Sequence, residues 1–294
     1  MSIALATRAP RLRRGQVAAI VPTLFMIGAF VVPLIGLAML SLRPTNDLNT
    51  PQPGWTFEQY QQVWDTGYLR SSVLDSLWLS IRVTLTCAVV AYPVAWFLVR
   101  TSSRWARTAV FAIVLSPLLT SEVVRSFGWR VVMGGQGPVN AALQALQITD
   151  DSIPLLRSGW TVFLAIVHVL LPFAIITLTA SLGAIDDALL RASANLGASR
   201  TRTFFTVVLP LSVPGLTAGL MVVFSLAMGI YVTPLLVGGA TMSLAGLQIQ
   251  NMAMVVFDQP GAAALSFVLL TVTLVACALI ALFGSLTSRR RTRG

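Results

Sequence analysis

The sequence predicts an all-α, polytopic membrane protein with six transmembrane helices. Of its 294 residues, 56% are apolar and only 10% charged, and the mean hydropathy is +0.81. A soluble domain carries about 25% charged residues. The apolar residues gather into stretches near the ~20 residues that a bilayer-spanning helix needs. The charges lie between the stretches and are distributed unequally over the two sides. This composition argues against a soluble enzyme, and also against disorder, which needs low hydrophobicity and high charge.

The first span is the charge-free run Val17 to Leu42, which follows the basic leader Arg8, Arg11, Arg13 and Arg14. A cleaved signal peptide has an apolar core of only about 7–15 residues, so this run reads as a retained helix. The second span runs from about Leu77 to Val99 and contains Arg82. The third covers roughly Ala106 to Ser121, with room to extend outward. The fourth is Trp160 to Leu182, the fifth about Val213 to Val237, and the sixth about Ala262 to Leu286. The expected organisation is a basic tail over 1–16, a six-helix domain over 17–286 and a basic tail over 287–294.

All twenty basic residues are arginine. Fourteen fall on one side: Arg8, Arg11, Arg13, Arg14; Arg100, Arg104, Arg107; Arg191, Arg200, Arg202; and Arg289, Arg290, Arg291, Arg293. Five fall on the other: Arg43, Arg70, Arg125, Arg130 and Arg157. The positive-inside rule therefore places both termini in the cytoplasm. Asp186 and Asp187 are the acids on that face; the other eight lie outside or at the outer boundary. A basic face of this kind suits anionic lipid headgroups and requires no nucleic acid.

The missing lysine excludes a Walker A phosphate loop, whose lysine reaches the β- and γ-phosphates, and with it any ATP site of that type in this chain. It also excludes Schiff-base chemistry. There is no HExxH, no Ser/His/Asp set and no metal-ligand spacing, so no metal, cofactor or catalytic residue is expected. Cys87 and Cys277 lie in apolar stretches and read as small packing residues.

The polar residues within spans are few. His168 either relays protons or hydrogen-bonds a neighbouring helix. Arg82 and Asp75 lie two turns apart on one helix face. They either line a polar pathway, or Arg82 snorkels or caps carbonyls between helices. Gly134-Gly135-Gln136-Gly137-Pro138 reads as a turn. Pro22, Pro33, Pro93, Pro117, Pro172, Pro214 and Pro234 lie in or beside spans, where they kink helices.

The loop between spans four and five (183–210) is the informative one. Ile185, Leu189, Ala192 and Leu196 are spaced to share one helix face. Asp186 and Asp187 occupy a first turn, where the helix dipole favours acids. Asp187 and Arg191 form an i,i+4 pair. Gly197 sits where a left-handed C-terminal cap belongs. Ser199 can N-cap a second short helix, Arg200 to Val208, ending before Pro210. Phe204 and Phe205 form an exposed aromatic knob of the kind interfaces prefer. An amphipathic segment resting on lipid is the alternative.

This loop resembles the EAA motif of ATP-binding-cassette (ABC) importer permeases: EAA, three residues, glycine, then a spaced hydrophobic–Leu-Pro. Arg191-Ala192-Ser193 stands at the EAA position, Gly197 matches the glycine, and Val208-Leu209-Pro210 matches the ending. Pro214 and Gly219 follow. Arg191 replaces the family's glutamate and Ser193 an alanine. Thr56–Asp65, Ser76–Leu98, Val124–Trp129, Gly137–Asn140 and Tyr231–Gly239 also resemble the spermidine/putrescine type of permease, over about residues 17–285.

The resemblance implies a type I ABC importer permease fold in a bacterial cytoplasmic (inner) membrane. It implies two ATPase subunits that bind ATP and Mg, a second and non-identical permease, and a periplasmic or lipid-anchored solute-binding protein. It assigns ATPase coupling to Asp187, Arg191, Ala192, Ser193, Gly197, Ala198, Phe204, Leu209 and Pro210. Pathway candidates are Arg82, Glu122, Arg125, Trp129, Tyr231, Thr233 and Asp258. A polyamine favours the acids and rings through charge pairing and cation–π contact; an opine, phosphonate or other anionic or zwitterionic solute favours Arg82 and Arg125. Glu58, Asp65, Asp150 and Asp151 either dock the binding protein or are solvated loop charges. The rival class is a secondary transporter, which would show repeats and intramembrane ion ligands.

Overall fold

The computed structural model describes residues 14–238 and 242–289, with side chains over 22–156, 158–238 and 242–286. The helices are α1 (Arg14–Ser41), α2 (Glu58–Asp65), α3 (Gly67–Arg100), α4 (Arg104–Leu119), α5 (Glu122–Met133), α6 (Pro138–Ala145) and α7 (Gly159–Gly183). They continue with α8 (Asp187–Asn195), α9 (Arg200–Thr203), α10 (Leu209–Met228), α11 (Val232–Val237), α12 (Ala245–Asn251) and α13 (Gln259–Arg289). Among the described residues five helical stretches are long and apolar enough to cross a membrane, and six if the bent pair of α4 with residues 122–145 counts as one span.

Several boundaries differ from the expected ones. Residues 14–16 and 287–289 are helix rather than tail, while Arg8, Arg11, Arg13, Arg290, Arg291 and Arg293 lie outside the described residues. α3 starts ten residues before Leu77. Its added turns bury Leu69, Ser72, Val73 and Ser76 at helical spacing, and Ser76 Oγ accepts from Ala245 N at 2.8 Å. Polar serines hid this stretch from a hydropathy reading. The third span does not run on outward; the chain bends by 107° after α4.

The expected fifth span splits. A helical stretch over 200–228 ends at Met228, and α11 begins after Gly229–Tyr231. In an unbroken helix the Pro234 ring would clash with the carbonyl of residue 230; the break moves Pro234 into the first turn of α11.

The core is built on two ridges of four-residue spacing. On α3, Leu79, Val83, Cys87, Ala91 and Ala95 are at most 1% exposed. On α10, Gly215, Gly219, Val223 and Ala227 repeat the interval, and both ridges pack on α7. Small residues at this interval let membrane helices approach closely. The approach leaves no room at Gly215, where a Cβ would lie 2.8 Å from Thr177 O. Gly215→Val is therefore expected to destabilise the bundle by about 1–3 kcal/mol through overpacking, read as a lower midpoint of thermal unfolding in detergent. α13 lies beyond α10 with α2 and α12, and α1 packs on α13. From Pro22 on, the apolar side chains of α1 otherwise face outward, as suits a helix bathed in lipid.

Candidate functional site

The loop between α7 and α10 folds as a helical hairpin. Asp186 caps α8, its Oδ1 accepting from Ala188 N at 2.8 Å. α8 ends in a Schellman turn: Gly197 N donates to Ala194 O at 2.9 Å, Ala198 N donates to Ser193 O at 3.1 Å, and Gly197 has φ +78°. Ser199 Oγ caps α9 by accepting from Arg202 N at 3.2 Å. Ser193, the residue that departs from alanine, shares a 2.9 Å hydrogen bond with Thr203 across the hairpin.

Three expectations for this loop are corrected. Asp187 does not pair with Arg191; it accepts from Arg100 Nη1 at 2.6 Å, which ties α8 to the end of α3. The second helix does not stop before Pro210. A π turn over Phe204–Val208 follows α9 and runs directly into α10. Proline lacks the N–H that would bond four residues back, and the π turn absorbs that gap. Third, only Phe205 is an outward knob. Phe204 is half-buried and meets the Tyr92 ring edge-on at 5.5 Å.

The outer face of the hairpin has no cover among the described residues. Leu189, Leu196 and Phe205 are 48%, 87% and 60% exposed, and Arg191 and Ala192 are exposed beside them. Leu209 and Pro210 lie at the edge of an apolar groove of about 1000 Å³ between α3, α10 and α13.

A second cluster forms at the α4–α5 bend. The bend strands the last carbonyls of α4. Arg125 answers them: its Nη1 donates to Pro117 O, and to Thr120 O at 3.3 Å. Thr233 of α11 donates to Glu122 Oε1 at 3.3 Å, which fixes α11 against α5. Trp129 stands edge-on to His168 at 5.8 Å, so His168 makes a ring contact with α5 rather than the expected hydrogen bond. Two adjoining cavities, about 400 and 340 Å³, share Pro117, Thr120 and Arg125; Trp129 and His168 line the first, Glu122, Phe173 and Tyr231 the second.

The bend thus gathers Glu122, Arg125, Trp129, Tyr231 and Thr233. It does not gather Arg82 or Asp258. Arg82 lines a separate cavity of about 550 Å³ with Trp160, Phe163 and Met242. It forms no hydrogen bond or ion pair with the described residues and so caps no carbonyl among them. Asp258 caps α13, accepting from Gly261 N at 2.9 Å. Glu58, Asp65, Asp150 and Asp151 are all exposed on loops and short helices. The Gly134–Pro138 turn is held by Asn140, which donates to Gly134 O at 2.9 Å and to Ile153 O at 3.1 Å, and accepts from Ile153 N at 2.9 Å.

Sequence reasoning missed Arg100 and Tyr92 as partners of the hairpin. Tyr92, Trp96 and Arg100 recur every four residues on α3, and that aromatic–basic stripe was the available signal.

Three comparisons bear on this geometry. The family described as "Binding-protein-dependent transport system inner membrane component" matches residues 2–291. The spermidine/putrescine transport system permease protein PotB of Escherichia coli (strain K12) is 31% identical over 236 residues, covering 80% of this chain and 84% of that protein. The fold is similar to a chain in the crystal structure of a bacterial ABC transporter that imports the acidic polysaccharide alginate, with TM-score 0.76, 22% identity, and 94% and 95% of the two chains covered. A second structure, of the alginate transporter in complex with a periplasmic protein carrying an alginate pentasaccharide, gives TM-score 0.74 and 21% identity, covering 93% of each chain.

Proposed function

The chain belongs to the family of binding-protein-dependent transport-system inner-membrane components, multi-pass proteins of the inner membrane, and we propose on that footing that it is the polyamine-pathway permease of an ABC importer. In this reading both termini are cytoplasmic, and two ATPase subunits bind ATP and Mg on that side. A non-identical second permease completes the pathway, and a periplasmic or lipid-anchored binding protein delivers the solute. The hairpin α8–α9 is the surface on which the ATPase acts. The observation that carries this reading is the uncovered apolar face of Leu189, Leu196 and Phe205 on a hairpin locked by the Gly197 turn. A face of that kind belongs against a partner's groove. The ATPase coupling roles of Asp187, Arg191, Ala192, Ser193, Gly197, Ala198, Phe204, Leu209 and Pro210 are part of the same proposal.

The cargo is argued from charge. Arg125 lines both adjoining cavities with one guanidinium nitrogen turned to the backbone of α4; in this reading Glu122, beside Tyr231 in the second cavity and near Trp129 in the first, is the charge that meets the solute. A carboxylate beside aromatic rings suits an organic cation. Similarity to PotB points the same way. Glu122→Gln is expected to raise the KM for spermidine about tenfold, the equivalent of ~1.4 kcal/mol, with a smaller change in kcat. Uptake of radiolabelled spermidine into proteoliposomes holding the whole complex and saturated binding protein measures it; an unchanged KM contradicts the assignment of Glu122.

A further inference from the structure

The hairpin reaches the spans by three routes, and two of them are covalent. α7 leads into α8 through residues 184–186, and α9 continues through the π turn into α10. α3 has no such link. Its inner end meets the hairpin through side chains that form one stripe: Tyr92, Trp96 and Arg100, at four-residue intervals and spanning ~12 Å of helix. At the upper end of the stripe, Tyr92 bonds Ser212 at the start of α10 and takes the Phe204 ring edge-on. At the lower end, Arg100 holds Asp187 at the start of α8, and its guanidinium lies 4.9 Å from the centre of the Trp96 ring. Among the described residues this is the only ion pair.

We infer that the Tyr92–Trp96–Arg100 stripe is a latch through which the hairpin moves α3. The inference rests on the hairpin being the ATPase-coupled element. A tilt of the hairpin draws α7 and α10 through the backbone. α3 follows closely only while the latch holds, because its remaining contacts with α7 and α10 run along apolar ridges whose directional bond to α7 is the weak, 4.0 Å one from Cys87 Sγ to Val167 O. The geometry gives Arg100 the decisive place. It grips the N-terminal turn of α8, the part of the hairpin farthest along the chain from α10. The Trp96 ring restrains the guanidinium, so that little freedom is lost in holding Asp187. Arg100 and Tyr92 are positioning residues: neither touches solute nor nucleotide.

The test uses the complex purified through a tag on this chain and reconstituted in proteoliposomes. It reads spermidine taken up per ATP hydrolysed. Arg100→Gln is expected to lower that ratio about fivefold or more, the lower range for coupling between sites. Asp187→Asn is expected to lower it similarly. The double variant should fall no further than the worse single, because residues acting as one pair are non-additive. Arg100→Lys, which keeps the charge, should restore most of the ratio.

A ratio unchanged in Arg100→Gln overturns the latch. So does a double variant in which the two losses multiply. Equal loss of uptake and hydrolysis, with the ratio intact, marks a merely structural ion pair and also overturns it. Wild-type vesicles without ATP-driven uptake overturn the coupling reading itself, and the latch with it; wild-type vesicles that couple while Arg100→Gln does so equally well overturn the latch alone.

Discussion

Gly197→Val is expected to abolish ATPase-linked transport while the chain still inserts and assembles. Gly197 holds φ +78° between the two helices of the hairpin. A residue with a Cβ in the left-handed region costs about 1–3 kcal/mol, and a β-branched one is least tolerated there. Space is not the obstacle, because a Cβ at Gly197 would meet nothing within 4 Å. The penalty is purely conformational and falls on the turn. The valine chain relieves it by leaving the Schellman geometry, which releases the Ala198 N to Ser193 O bond and swings α9 away from α8. Asparagine adopts the left-handed region far more readily, so Gly197→Asn should keep most of the coupling. Binding-protein-stimulated ATP hydrolysis in reconstituted complex checks both: normal stimulation in Gly197→Val contradicts the role given to the turn.

Arg125→Leu is expected to cut uptake by more than about tenfold. The guanidinium closes the carbonyl end of α4 at a 107° bend. A hydrogen bond from a charged donor contributes about 1.5–3 kcal/mol, and losing it loosens the bend that holds the cluster in place. Without it Thr120 O loses its donor and Pro117 O keeps only Thr120 Oγ1 at 3.1 Å, so α5 is expected to move, and Glu122 and Trp129 with it. Arg125→Lys supplies the charge but not the planar fork, and should recover part of the loss. Uptake measured at equal membrane levels of each variant decides the matter; full uptake in Arg125→Leu contradicts the cap.

The spans were legible because bilayer thickness imposes a length on apolar runs, as for Trp160 to Leu182, which α7 matches to within one residue at each end. Legibility failed where polarity and helix do not coincide. The serines of α3's first turns look like a loop in a hydropathy reading, yet Ser72 and Ser76 bond to backbone groups within the protein. The α4–α5 bend was invisible because nothing local marks it except Pro117 and Thr120; the residue that stabilises it, Arg125, reads from sequence as an outer charge and a pathway candidate, not as the donor to α4's carbonyls. In the loop between α7 and α10 the caps at Gly197 and Ser199 were readable, since each follows from local chemistry, while Asp186, read as a first-turn acid, proves to be the N-cap of α8. The partner of Asp187 was not, because Arg100 lies 87 positions away along the chain, and the nearby Arg191 offered a simpler local pairing. Of the pathway residues, those on α5 and α11 converge, whereas Arg82 and Asp258 share their polarity but not their place.

The central claim is that this chain takes its energy from a partner ATPase through the α8–α9 hairpin. Its most direct test is spermidine uptake into proteoliposomes that hold the complex purified on this chain, with binding protein present and all ion gradients collapsed. The expected uptake requires ATP on the ATPase side and stops with vanadate. Uptake that persists without ATP and follows a proton or sodium gradient would contradict it.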